Sequence, residues 1–142
     1  MTEVGLVSCT KSKRDEPAVP RLLYDESPYF RKAREYCERH HDDWLVLSAK
    51  HHVLDPDGPP ISPYEQTLTT ANVETRREWA REVTADLEER GLLDEDVTLV
   101  IHAGKAYYEE LLPLLDPHPV EIHIPTAGLM FGETLAWYNE QT

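Results

Sequence analysis

The stretch that decides the fold is EVGLVSCTKSK, residues 3–13. Its first half is a short apolar run without polar alternation, as expected of a strand buried on both faces of a parallel sheet. The run stops at Ser8-Cys9-Thr10, and Lys11 and Lys13 follow at once. Three further segments repeat the plan. WLVLSA (44–49) leads into Lys50 and His51, VTLVIHAG (97–104) into Lys105, and VEIHIPTAG (120–128) ends on its own Gly.

Helical patterns separate these strands. SPYFRKAREYCERHH (27–41) opens with Ser27 as N-cap and Pro28 at the first helical position, and Phe30, Ala33, Tyr36 and Cys37 recur at helical spacing. NVETRREWAREVTADLEERG (72–91) is amphipathic through Val73, Trp79, Ala80, Val83 and Leu87, and stops at Gly91. KAYYEELLPLL (105–115) reads as a short helix disturbed by Pro113, and GETLAWYNE (132–140) as a closing helix. Between 50 and 70 runs a loop with four prolines, pinned by Val53, Leu54, Ile61 and Tyr64. Loops of that length in compact domains are usually functional or disordered.

Strand-helix alternation predicts an α/β fold: one three-layer domain over 1–142, with a mostly parallel sheet of four or slightly more strands and helices on both faces. Crossovers should be right-handed, while strand order is not legible. The 142 residues suffice for a core without staples. Cys9 and Cys37 lack the spacing of a disulfide framework or zinc knuckle. No secretory apolar segment or membrane-length run occurs, so a soluble, cytoplasmic protein with no membrane partner is expected. The sequence carries no signal for oligomeric state.

Net charge is −13, from 14 Lys and Arg against 27 Asp and Glu, which argues against a broadly basic face for duplex DNA. The acids are dispersed, as in a halophilic protein adapted to a salty cytoplasm. There, screening leaves charge effective only at contact range. Against that background four of the five lysines, Lys11, Lys13, Lys50 and Lys105, fall just after strands; Lys32 is the exception. Ligands of parallel sheets bind beyond the strand C-terminal ends. The predicted site is therefore an anion crevice, most simply for phosphate, although neither GxGxxG nor GxxxxGK[ST] is present.

The substrate-binding set is Ser8, Thr10, Lys11, Ser12, Lys13, Ser48, Lys50, Tyr64, Gly104, Lys105 and Tyr107. For catalysis, Cys9 beside two lysines suits a nucleophile with a lowered pKa, although a small buried residue packed at a strand end is the plainer reading. His51 can act as acid or base or simply pack in its loop, and Glu65 can act as base or ribose-hydroxyl acceptor. Tyr64 offers a stacking ring or a hydroxyl. Asp55 and Asp57 are explained by turn formation alone. Cys37 reads as core, His40 and His41 as charge at a helix C-terminus, and His102 and His123 as sheet residues. With no HxH or HExxH spacing, neither metal nor cofactor is predicted.

Across nearly the whole chain, the order SCTKSK, LYDESPYF, LSAKHHVLDPD, PYEQTL, HAGKAYYEEL and AGLMFGETLAW resembles an uncharacterised domain family of bacteria and haloarchaea. The central block is similar to that of the YaaA peroxide-stress proteins, which are associated with DNA binding and protection from oxidative damage. More remotely, Cys9, Lys13 and the Tyr24-x-x-Ser27 pattern resemble the core of archaeosine synthase, which modifies a deazaguanine base in tRNA. The chain departs from the family pattern at His52, where Gly is usual, and at Leu129-Met130-Phe131-Gly132, where Gly-Ile-Gly is usual. The resemblance points to nucleobases or nucleic acid and carries no reaction; taken with the strand-end cluster, it leads to the expectation of an enzyme directed at a nucleobase, nucleotide, or single-stranded or modified nucleic acid, by glycosidic-bond or base-modifying chemistry. Its alternative is a non-catalytic nucleotide sensor or nucleic-acid-binding stress protein. Turnover itself is left open.

Overall fold

The computed structural model describes residues 2–141. Five strands form one sheet in the order β3-β2-β1-β4-β5. β1 (Thr2–Ser8) is central and runs parallel to both β2 (Asp43–Ser48) and β4 (Val97–His102). β5 (Glu121–His123) is parallel to β4, while β3 (His52–Leu54) is antiparallel to β2 at the opposite edge. Each of the three central strands is buried along most of its length, which is why they read as unbroken apolar runs.

The helices follow from right-handed crossovers. The chain passes from β1 to β2 through α2 (Pro28–His40), then reverses across β1 to β4 through α3 (Val73–Glu89). Opposite directions of travel place those helices on opposite faces. α6 (Phe131–Glu140) packs with α2, while the one-turn helices α4 (Lys105–Tyr108) and α5 (Leu112–Leu115) pack with α3. Ser27 caps α2, its hydroxyl accepting the Phe30 N–H at 3.3 Å, and Asn72 caps α3 by accepting the Thr75 N–H at 2.8 Å. Gly91 at φ +75° ends α3 in the left-handed conformation.

Four details differ from the sequence reading. The fifth strand, β3, comes from inside the proline-rich loop, because Val53 can bury only by pairing with β2. The rest of that loop is anchored by a bridge between Ala18 and Ile61. α1 (Pro20–Leu23) is a one-turn helix where the sequence reading placed no element, with Pro20 at its start. Pro113 does not merely disturb one helix: the segment is two separate turns, with Pro113 near the start of the second. Val73 is 49% exposed rather than packed, since it stands at the first turn of α3, beyond the reach of the sheet.

His52 has φ 67° and is the sole non-glycine with positive φ among the described residues. The β2–β3 turn therefore needs the left-handed conformation that glycine adopts without cost. Among the described residues, no helix is long and apolar enough to cross a membrane.

Candidate functional site

The strand order makes β1 and β4 the point where the connections diverge. The chain leaves β1 toward β2 and leaves β4 toward β5, so the two loops part and open a crevice. It measures about 1000 Å³. The segment from Ser8 to Lys13 forms one wall and the segment from Ala103 to Tyr108 another. Three lysines (Lys11, Lys13 and Lys105) line it against one acid, Glu65, so its formal charge is +3 − 1 = +2 in a chain of −13.

Cys9 sits at the floor with 5% of its surface exposed. The Ala49 N–H reaches its sulfur at 3.4 Å, and the Tyr107 hydroxyl lies 3.4 Å away on another side. The Leu68 N–H donates to the Tyr107 oxygen at 3.5 Å, and the hydrogen bond between Tyr107 and Cys9 can run in either direction. The sulfur is thus held by partners from two different loops.

A second polar chain lies beside it. Tyr64 Oη is 2.6 Å from Tyr24 Oη and 2.7 Å from Ser48 Oγ, all three groups being buried. Burial pushes the phenols of Tyr24, Tyr64 and Tyr107 well up, so each stays protonated and remains a donor at physiological pH. Lys13 Nζ lies 4.5 Å from the centroid of the Tyr64 ring, a cation–π contact. Burial lowers the Lys13 pKa, and the neighbouring Cys9 and Glu65 pull it partly back.

A family profile described as "Family of unknown function (DUF6884)" matches residues 4–140. The chain belongs to this family. It is also similar to the uncharacterized protein YfjM of Bacillus subtilis (strain 168), with 32% identity over 92 residues. That match covers 65% of this chain and 59% of YfjM, so the chain spans less than two thirds of its relative. No solved structure matches.

In this DUF6884 member the structure places Ser8, Cys9, Thr10, Lys11, Ser12 and Lys13 at the crevice, along with Tyr64, Glu65, Gly104, Lys105 and Tyr107. Ser48, Lys50 and His51 lie outside its lining. The reason is topological: β2 flanks β1 on the side away from β4, so its C-terminal loop opens toward β3. Ser48 is fully buried, and its oxygen accepts the His51 N–H at 2.9 Å, so it organises the turn and aims Tyr64. The His51 ring packs edge-on against Tyr64 with centroids 5.6 Å apart. Its pKa is lowered by burial and by the charges of Lys50 and His52. Lys50 is exposed. The Tyr64 hydroxyl is committed to Tyr24 and Ser48, and its ring to Lys13, so the residue shapes the wall rather than offering a free stacking face.

Several lining residues escaped the sequence reading. Ser27, Pro28 and Tyr29 bring the N-terminus of α2 to the crevice. The Ser-Pro start was legible, and a helix that follows a parallel strand always begins at the same edge of the sheet. Leu129 and Phe131, just before and at the start of α6, form an apolar rim, with Phe131 66% exposed. The signal was there too, as bulky apolar residues flanked by Gly128 and Gly132.

Proposed function

We propose that the crevice binds the phosphate of a nucleotide, free or within nucleic acid, and acts on its base or glycosidic bond. The observation that carries this reading is the three lysines converging on the β1/β4 divergence of an acidic chain. Lys11, Lys13 and Lys105 supply charge-assisted contacts, and the α2 N-terminus adds a favourable field. Phe131 and Tyr108 offer apolar and aromatic surface for a base at the rim. Cys9 and Glu65 are the groups available to the reacting atom, and the Tyr107 O–H can follow charge on sulfur. The likeness of the chain's motifs to YaaA proteins and to the archaeosine synthase core supports the same ligand class. The dispersed acidity supports a halophilic setting.

A second reading, binding without turnover as in a nucleotide sensor or nucleic-acid-binding stress protein, is favoured by the burial of Cys9 and the commitment of its sulfur to Ala49 and Tyr107. The test is a thermal-shift panel of nucleotides, nucleosides and deazaguanine bases at high salt, with chromatography for released or altered base. Nucleotides should stabilise more than their nucleosides, and at a hundredfold excess over Kd the gain is about 2.7 kcal/mol. Base release or modification supports the enzyme; stabilisation without it supports the sensor. No shift with any phosphate-bearing compound refutes both.

A further inference from the structure

Away from the crevice lining, between α2 and the sheet, three potential ligands meet. Cys37 lies in the last turn of α2, and His41 is the residue that caps it, its N–H donating to the Cys37 carbonyl at 3.0 Å. His102 comes from the end of β4. Cys37 and His102 are fully buried, and the His41 side chain is 1% exposed. One donor atom from each lies within 4.8 Å of the others. We propose that Cys37, His41 and His102 form a binding site for a single thiophilic d¹⁰ metal ion, Zn²⁺ or Cu⁺.

The orientation of the rings is an independent observation. His41 Nε2 and His102 Nε2 face each other at 3.0 Å, so the inner nitrogens converge. Their outer nitrogens face other groups. His102 Nδ1 is 2.7 Å from the Tyr138 hydroxyl. His41 Nδ1 is 3.0 Å from Glu3 Oε1, at ion-pair distance but off the line of a hydrogen bond. Metal-bound histidines characteristically present one nitrogen to the ion and the other to a carboxylate, hydroxyl or carbonyl. Here both do so, with a thiol as the third corner.

Coordination asks for local movement. Bond lengths of about 2.0–2.1 Å to nitrogen and 2.3 Å to sulfur require nitrogens roughly 3.3 Å apart in a tetrahedral site. The two rings must open by a few tenths of an ångström, the sulfur, within 4.8 Å of the nitrogens, must close to about 3.5 Å, and the proton the rings share moves to the outer nitrogen of the ring that carried it. Space is also reserved on the strand beneath. A Cβ at Gly5 would stand 2.6 Å from Cys37 Sγ and 2.7 Å from His41 Cδ2.

The donor set of one sulfur and two imidazoles selects soft ions over magnesium or calcium. Each ring turns one nitrogen inward, where its lone pair can meet the ion, and the other outward toward a polar group. On binding, Cys37 gives its proton to the solvent, and the thiolate and Glu3 balance the charge of a divalent ion. Cys37 lies on the helix and His102 beyond two intervening strands in sequence, so no short motif announced the site.

The experiment uses the full chain, reduced, stripped with a chelator and kept anaerobic. Calorimetric titration with ZnCl₂, and with Cu⁺ against a competing chelator, should show one equivalent bound. The melting temperature should rise by about 5 °C or more with saturating metal. Co²⁺ should give the sulfur-to-cobalt charge-transfer absorption of a thiolate complex, a readout that needs no variant. Cys37→Ser and His41→Gln should each weaken Zn²⁺ binding at least tenfold, while His123→Gln, on β5, should not. Uptake of either ion with these properties supports the site. Failure of wild-type protein to bind one equivalent of either, or uptake unchanged in a folded Cys37→Ser variant, overturns it.

Discussion

Replacing Gly5 by alanine tests whether α2 presses on β1 as tightly as the structure shows. The new Cβ would stand 2.6 Å from Cys37 Sγ and 2.7 Å from His41 Cδ2, where ordinary contact begins at 3.4 Å. Something must therefore move by 3.4 − 2.6 = 0.8 Å. Both neighbours are enclosed, Cys37 being fully buried and the His41 side chain 1% exposed, so a shift of that size disturbs the packing around them. Overpacking of this kind costs about 1–3 kcal/mol. Alanine recovers about 0.5–1 kcal/mol by losing less chain entropy than glycine. The net expectation is a loss of about 1–2 kcal/mol, or roughly 4–8 °C in melting temperature for a domain of this size. Urea unfolding followed by circular dichroism should show a lower midpoint with an unchanged slope. Adding Cys37→Ala removes the nearer clash, so the double variant should be at least 0.5 kcal/mol better than the sum of the singles. A Gly5→Ala protein within about 0.5 kcal/mol of wild type, or strict additivity in the double variant, would show that the contact is not tight and refute the reasoning.

Three further outcomes are expected. Tyr64→Phe removes the hydroxyl that joins Tyr24 to Ser48 and should cost about 1–3 kcal/mol in urea unfolding, because two buried partners lose a hydrogen bond; a neutral result would mean the three groups re-pair or find water. His52→Gly should stabilise the fold by about 0.5–1 kcal/mol, since glycine adopts the left-handed turn freely; destabilisation would point to a role for the imidazole that offsets the strain. Lys13 should be acylated by an amine-selective reagent with a pH midpoint below the ordinary 10.5, because burial favours its neutral form. Mapped by mass spectrometry, a midpoint at or above that value would contradict the half-buried placement over Tyr64.

The residues at the crevice show how far the chain could be read directly. The segment from Ser8 to Lys13 was recognisable because an unbroken apolar run ending in small polar residues and lysines carries its meaning locally. Lys50 followed the same local pattern and yet stands apart, because that pattern cannot say on which side of β1 its strand will lie. Tyr64 was found by its place after Pro63, but its commitment to Tyr24 and Ser48 joins residues 40 and 16 positions away. Cys37, read as core, is indeed buried, and its two histidine neighbours became visible only when α2 and β4 were laid together.

By itself, the sequence determined the main strands and helices, the cap at Ser27, the α/β class and the edge of the sheet where charge gathers. These rest on hydrogen bonds and side-chain periodicities spanning a few residues, so they are written in short windows. Only the tertiary structure decided the strand order, the crevice between β1 and β4 and the meeting of Cys37, His41 and His102. Those depend on which buried faces pack best across the whole chain, a global minimum of packing and chain entropy that no short window contains.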